Sequence, residues 1–206
     1  MVKSNLVAKR RSIFRSIHIT LFHGLVLWMG FGLLFGAVCA KMGWQSGMEQ
    51  FSALLETNAS RFSLPWYQSA GWYLLTWLLF FAVTFFCGFW AIGQPVILAA
   101  VLCKGIGLGS LICSLCLQQG WSGAGQALLL VIPSGLVGMF VLLISAKEAL
   151  RFSTLLLKAF QTEELRPQMT HVRLYCLKHG LLLGILLAGA LVDQGILCCY
   201  RFFIVS

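Results

Sequence analysis

The sequence predicts an all-α, polytopic membrane helical bundle with five transmembrane helices, N-terminus in and C-terminus out. Three observations carry that expectation. The chain of 206 residues is 59% hydrophobic and only 10% charged, whereas about a quarter of the residues in a soluble domain are charged. Its apolar residues gather into runs of bilayer length. Its basic residues are distributed unevenly between those runs. The length suits a single integral membrane domain covering 1–206. The net charge of +9 is explained by topology and implies no nucleic-acid partner.

The first spanner is read over 16–40. The arm before it holds Lys3, Lys9, Arg10, Arg11 and Arg15 and no acid. A basic start before an apolar run resembles a signal peptide, but this run is too long and lacks a small-residue cleavage site. His18 and His23 lie near its inner end, and Gly32 and Gly36 form a GxxxG step. Residues 41–70 make the first polar break. Met48, Phe51, Leu54 and Leu55 repeat with helical spacing and predict a short amphipathic surface helix on the outer face. Pro65, Trp66, Tyr67, Trp72 and Tyr73 then read as an interfacial aromatic belt.

The second spanner, 71–92, is uncharged. Gly93-Gln94-Pro95 is a tight break, with Pro95 suited to the first turn of the third spanner, 95–117, because its missing N–H is not needed there. So short a connection makes these two spanners antiparallel neighbours. The third carries a single charge, Lys104, followed by Gly105, Gly107 and Gly109. A lone ammonium at membrane depth normally faces protein or a wet cavity, and the glycines offer a groove for a neighbouring helix.

A Gly-rich turn over 118–125 leads to the fourth spanner, 125–146. Pro133 is expected to kink that helix, with Gly135 and Gly138 filling the space opened. The cytoplasmic loop, 147–178, is the longest hydrophilic stretch, and Leu150, Leu155, Leu156 and Phe160 suggest that the fourth helix continues along the surface. The fifth spanner, 179–200, has Gly180 and Gly184 at GxxxG spacing and Asp193 in its outer half. Eleven of the fifteen basic residues fall in the N-terminal arm and the 147–178 loop, which is the positive-inside pattern.

Chemistry-bearing patterns are sparse. Eight cysteines fall mostly in apolar runs, where cysteine serves as a small packing residue. Cys113 and Cys116 make a CxxC in surroundings that would not lower a thiol pKa. Metalloprotease, nucleophile-elbow and phosphate-loop motifs are absent, and Ser110 and Ser114 stand off helical spacing from Lys104. No catalytic, cofactor or metal residues are assigned and no cofactor is expected; the reading is of a protein that is not an enzyme. The structural candidates are Gly93, Pro95, Lys104, Gly105, Gly109, Pro133 and Asp193. On an ideal rise, Lys104 lies about 13 Å and Asp193 about 21 Å from the cytoplasmic ends of their helices, so the two are expected to pair or to line one polar pocket.

A family resemblance rests on short motifs spread over most of the chain. They are Leu33-Leu34-Phe35-Gly36-Ala37-Val38, Ile92-Gly93-Gln94-Pro95-Val96-Ile97, Lys104-Gly105 with Gly109, Pro133-Ser134-Gly135, and Asp193 after Gly189. In these the chain resembles the stage II sporulation protein M family. The resemblance implies a five-spanner protein of the bacterial cell membrane. It also implies a scaffold in engulfment that holds the peptidoglycan-degrading partners, stage II sporulation proteins D and P. The chain departs from the family's pattern at Lys104, where the family tends to have Asn. It departs again at Ser134 and Gly138, where the family tends to have His and Glu. A reading from another class is a transporter, or the membrane subunit of a transport system, motivated by Lys104, the kinked fourth helix and the basic loop. The GxxxG steps fit contacts within one chain or in a homo-oligomer.

Overall fold

The computed structural model describes residues 2–42, 65–90, 92–162, 169–200 and 202. All of its elements are helices: α1 (Val2–Lys41), α2 (Trp66–Gly88), α3 (Gln94–Gln126), a π-helical turn (Ala127–Val131), α4 (Ile132–Thr162) and α5 (Met169–Tyr200). Four stretches are long and apolar enough to cross a membrane: Thr20–Lys41, Tyr67–Gly88, Gln94–Leu157 and His171–Cys199. The basic arm ahead of the first belongs to the same helix, α1. The expected amphipathic surface helix lies outside the described residues, over 43–64, as do residues 163–168 after α4.

The stretch Gln94–Leu157 is not one rod. Gly120 has φ 58° and ψ −129° inside it, a conformation open to glycine and hostile to side chains. The chain doubles back there, and Gly123 comes to lie against the carbonyl of Leu115. Further along, a Cβ on Gly135 would sit 3.6 Å from Leu108, residues that a continuous helix would hold about 40 Å apart. The Gly-rich turn expected near Trp121 is therefore a reversal that pivots on one left-handed residue.

Side-chain contacts set the helix directions. Gly32 meets Leu102 and Gly36 meets Ile106, so α1 and α3 run parallel. Gly135 meets Leu108 and Thr154 meets Gln94, so α4 runs antiparallel to α3. Tyr73 bonds Ser134 and Thr84 bonds Ser145, so α2 and α4 are parallel. Ser145 pairs with His179 and Glu148 with Lys178, so α5 returns antiparallel to α4. The core between these helices includes Tyr73, Trp77, Val101, Leu111, Leu142 and Leu186.

The glycines of α1 and α3 explain why those two helices approach so closely. A methyl group on Gly36 would overlap the Ile106 carbonyl, and one on Gly109 would overlap the Leu33 carbonyl. On Gly32 it would stand 2.7 Å from the Leu102 oxygen, and on Gly105 2.7 Å from the Met29 oxygen. Backbone therefore packs on backbone, the contact that drives association where no hydrophobic effect separates helix from lipid. The third GxxxG step behaves differently: a Cβ added to Gly180 or Gly184 would meet nothing within 4 Å among the described residues.

Two further expectations need revision. Tyr73, read as part of the interfacial belt, is 1% exposed and belongs to the core, while Tyr67 and Trp72 remain on the surface. The reason is its hydroxyl, which finds a buried acceptor in the Ser134 carbonyl at 3.0 Å. The long hydrophilic loop is also largely helix, because α4 runs to Thr162 and α5 starts at Met169. Tyr175, Phe152 and Ala149 inside that region are buried core residues.

Gly109→Ala is expected to destabilise the bundle by about 1–3 kcal/mol through overpacking. Gly184→Ala, whose site is open, is expected to stay within about 0.5 kcal/mol of wild type. Thermal unfolding of both variants in one detergent checks this contrast.

Candidate functional site: two buried polar clusters

The first cluster surrounds Lys104. Its side chain is 1% exposed, and its ammonium lies 4.4 Å from the ring centroid of Trp77 and 5.3 Å from that of Phe80. Both rings come from α2, one turn apart, so α2 presents two aromatic faces to one cation. A charged side chain at the bilayer centre costs about 2.5–3.5 kcal/mol on insertion scales. A desolvated cation–π contact returns about 2 kcal/mol or more. The two rings therefore offset much of that cost, and Lys104 has a further interaction beside them.

Neighbouring elements hold that enclosure in place. Gly138 on α4 lies against the Trp77 indole, where any side chain would displace the ring. Tyr73 sits one turn before Trp77, with ring centroids 6.2 Å apart, and its hydroxyl donates to the Ser134 carbonyl. Pro133 deprives the preceding turn of a backbone donor, and the helix responds with the π-helical turn. Within it the Ile132 N–H reaches back five residues to the Ala127 carbonyl. The Ser134 hydroxyl donates to the Leu130 carbonyl at 2.9 Å. The backbone around Pro133 is thus re-bonded locally, and α4 keeps its path past Trp77.

Asp193 joins this region from α5. It is 2% exposed, and Gln194 Nε2 donates to its Oδ2 at 3.1 Å. Gly189, one turn earlier on the same face, packs on Val137 and lies 3.9 Å, measured from an added Cβ, from the Tyr73 hydroxyl. Through Gly189, α5 comes close to Tyr73, one turn before Trp77.

The remaining candidates have structural places. Gly93 caps α3 and lies against the Cys87 carbonyl, which permits the tight α2–α3 connection. Pro95 occupies the first turn of α3. Gly105 and Gly109 receive α1. Ser110 and Ser114 donate to the carbonyls of Gly107 and Leu111, both at 2.9 Å.

The second cluster was not legible as a site. His179 is 2% exposed, and Ser145 and Thr84 are fully buried. His179 Nε2 lies 3.1 Å from Ser145 Oγ, which lies 2.9 Å from Thr84 Oγ1. His179 Nδ1 lies 3.1 Å from the Tyr175 carbonyl. A carbonyl only accepts, so in the neutral ring Nδ1 carries the proton and Nε2 accepts from the serine. Around the imidazole stand Phe81, Phe85 and Tyr175, with centroids 5.6, 5.2 and 4.2 Å away. Tyr175 in turn donates to the Phe85 carbonyl at 2.9 Å. A serine beside a histidine suggests nucleophilic chemistry, yet both members are sealed among packed rings. What this chain of hydroxyls does is tie α2, α4 and α5 together through polar contacts that have no solvent substitute. In sequence His179 reads only as the first residue of a spanner; the i, i+4 spacing of Tyr175 and His179 was the signal at hand.

A family model described as stage II sporulation protein M matches residues 25–195. No curated protein and no solved structure matches the chain. The matched segment contains both polar clusters and the α1–α3 crossing.

A double-mutant cycle on Lys104→Met and Trp77→Leu is expected to yield a coupling of about 1–2 kcal/mol in unfolding free energy. Additive effects of the two substitutions would remove the cation–π contact from the account.

Proposed function

The chain belongs to the stage II sporulation protein M family, and from that premise we propose a non-catalytic scaffold in the bacterial cell membrane. It crosses the membrane five times, N-terminus in and C-terminus out. It anchors peptidoglycan-degrading partners at the membrane during engulfment, the family's partners being stage II sporulation proteins D and P. Family membership makes it a membrane protein related to sporulation; the scaffold role and the partners are our reading.

The observation that carries this reading is the closed interior. The groups with chemical potential, Lys104, Asp193, Ser145 and His179, are each no more than 2% exposed. They are committed to holding helices against one another, which is the property a scaffold needs. The five-crossing topology draws support from the reversal at Gly120 and from the alternating helix directions. A stretch of 64 residues is about 96 Å of helix, three times the hydrocarbon thickness, and folding it into a hairpin yields two crossings. The basic arm on α1 and the charged end of α4 then share the cytoplasmic side.

Tagged protein, solubilised in mild detergent from cells making spores, is expected to bring down a peptidoglycan hydrolase. A tag on the C-terminus is expected to be protease-accessible from outside and one on the N-terminus only after lysis. Recovery of no wall-degrading enzyme would contradict the scaffold, and termini on one side would contradict five crossings.

A further inference from the structure

We propose that the inner ends of α1, α3 and α4 form a binding site for the phosphate group of an anionic phospholipid, with Lys147 and Arg151 as its cations. The inference is independent of the wall-degrading partners and stands or falls separately from them.

Lys147 and Arg151 are one turn apart on α4, both half-buried, and therefore share a face. Thr154 continues that face. The two ends of the row are placed by contacts with other helices. Lys147 Nζ lies 5.7 Å from the ring centroid of Phe22 on α1. Thr154 Oγ1 accepts from Gln94 Nε2 on α3 at 3.4 Å. Arg151 stands between, so the row of cations is flanked by α1 and the start of α3.

The local charge is not neutralised within the described residues. Glu148, the acid nearest in sequence, is turned to α5, where Lys178 Nζ holds it at 2.8 Å. Neither Lys147 nor Arg151 has a carboxylate partner among the described residues. Lys178 takes the acid and leaves two adjacent cations beside the α1 and α3 ends.

Depth identifies the ligand. The basic arm of α1 ends at Arg15, where the apolar run starts, and α3 begins at Gln94. Phe22 lies two turns past that arm and Gln94 in the first turn of α3, so the cations sit where hydrocarbon meets headgroups. Basic recesses between helices at that level suit anionic headgroups, and the Phe22 ring offers an apolar wall for the first acyl carbons. A phosphodiester on a lipid satisfies all three features; free phosphate satisfies only the charge.

Native mass spectrometry of the full chain, titrated with phosphatidylglycerol or phosphatidylcholine, tests the site. Wild type is expected to bind phosphatidylglycerol at least tenfold more tightly than phosphatidylcholine. K147Q/R151Q is expected to lose at least tenfold, about what two basic side chains contribute at an anionic surface. R173Q, which removes an exposed cation from α5 at the same end, is expected to bind as wild type. An unchanged K147Q/R151Q, or an equal loss in R173Q, would overturn the site in favour of diffuse charge. Displacement of the lipid by millimolar inorganic phosphate would overturn the lipid assignment. If K147Q/R151Q does not fold, R151Q alone carries the test: a several-fold loss supports the site and wild-type affinity refutes it. K147R is expected to retain binding.

Discussion

Keeping the Lys104 ammonium out of contact with lipid is the constraint on which the bundle depends. Burying that charge without partners would cost more than most single contacts return. The chain answers with two aromatic faces on α2, and that answer imposes conditions on every other helix. Gly138 on α4 must lack a side chain so that Trp77 can lie where it does. Tyr73 must find an acceptor on α4. Gly189 must let α5 come close beside Val137. On the opposite side of α3, the glycines next to Lys104 admit α1. One unfavourable side chain thus specifies the arrangement of five helices, as a costly polar group in a packed interior selects one assembly among several of similar apolar area.

The second cluster works in the same way nearer the other end of α4. Thr84, Ser145 and His179 each present a group that must be bonded, and they satisfy one another across three helices. Buried polar groups penalise alternatives more than they reward the native state. Rotation of α5 by one residue, about 100°, would carry the imidazole off Ser145 and off the rings of α2. Register of α2, α4 and α5 is therefore specified twice, by the enclosed lysine and by the histidine chain, at two levels along the same helices. Such a doubly specified register suits the proposed scaffold role.

Much of this arrangement was legible in the sequence. The charge at position 104 and the glycines after it announced a helix in protein contact, and Gly93-Gln94-Pro95 announced the tight connection before it. What was not legible required distances across the bundle. Tyr73 read as interfacial because tyrosine is common there; only the Ser134 carbonyl, 61 residues away in sequence, explains its burial. His179 looked like a boundary residue for the same reason. The two GxxxG steps of α1 and α3 interlock, whereas that of α5 is open, and nothing in the motif itself separates these cases. The extension of α4 was legible in Leu150, Leu155, Leu156 and Phe160; the early start of α5 at Met169 was not, because its first turns carry His171, Arg173 and Lys178.

The most direct measurement of the central claim is an NMR experiment on lysine-labelled protein in lipid nanodiscs, with the residue 104 signal assigned through Lys104→Arg. The ε-methylene of Lys104 is expected to be shifted upfield by ring currents and to show cross-relaxation with the Trp77 indole and none with acyl chains. An unshifted signal with cross-relaxation to acyl methylenes would contradict the enclosure and the assembly built on it.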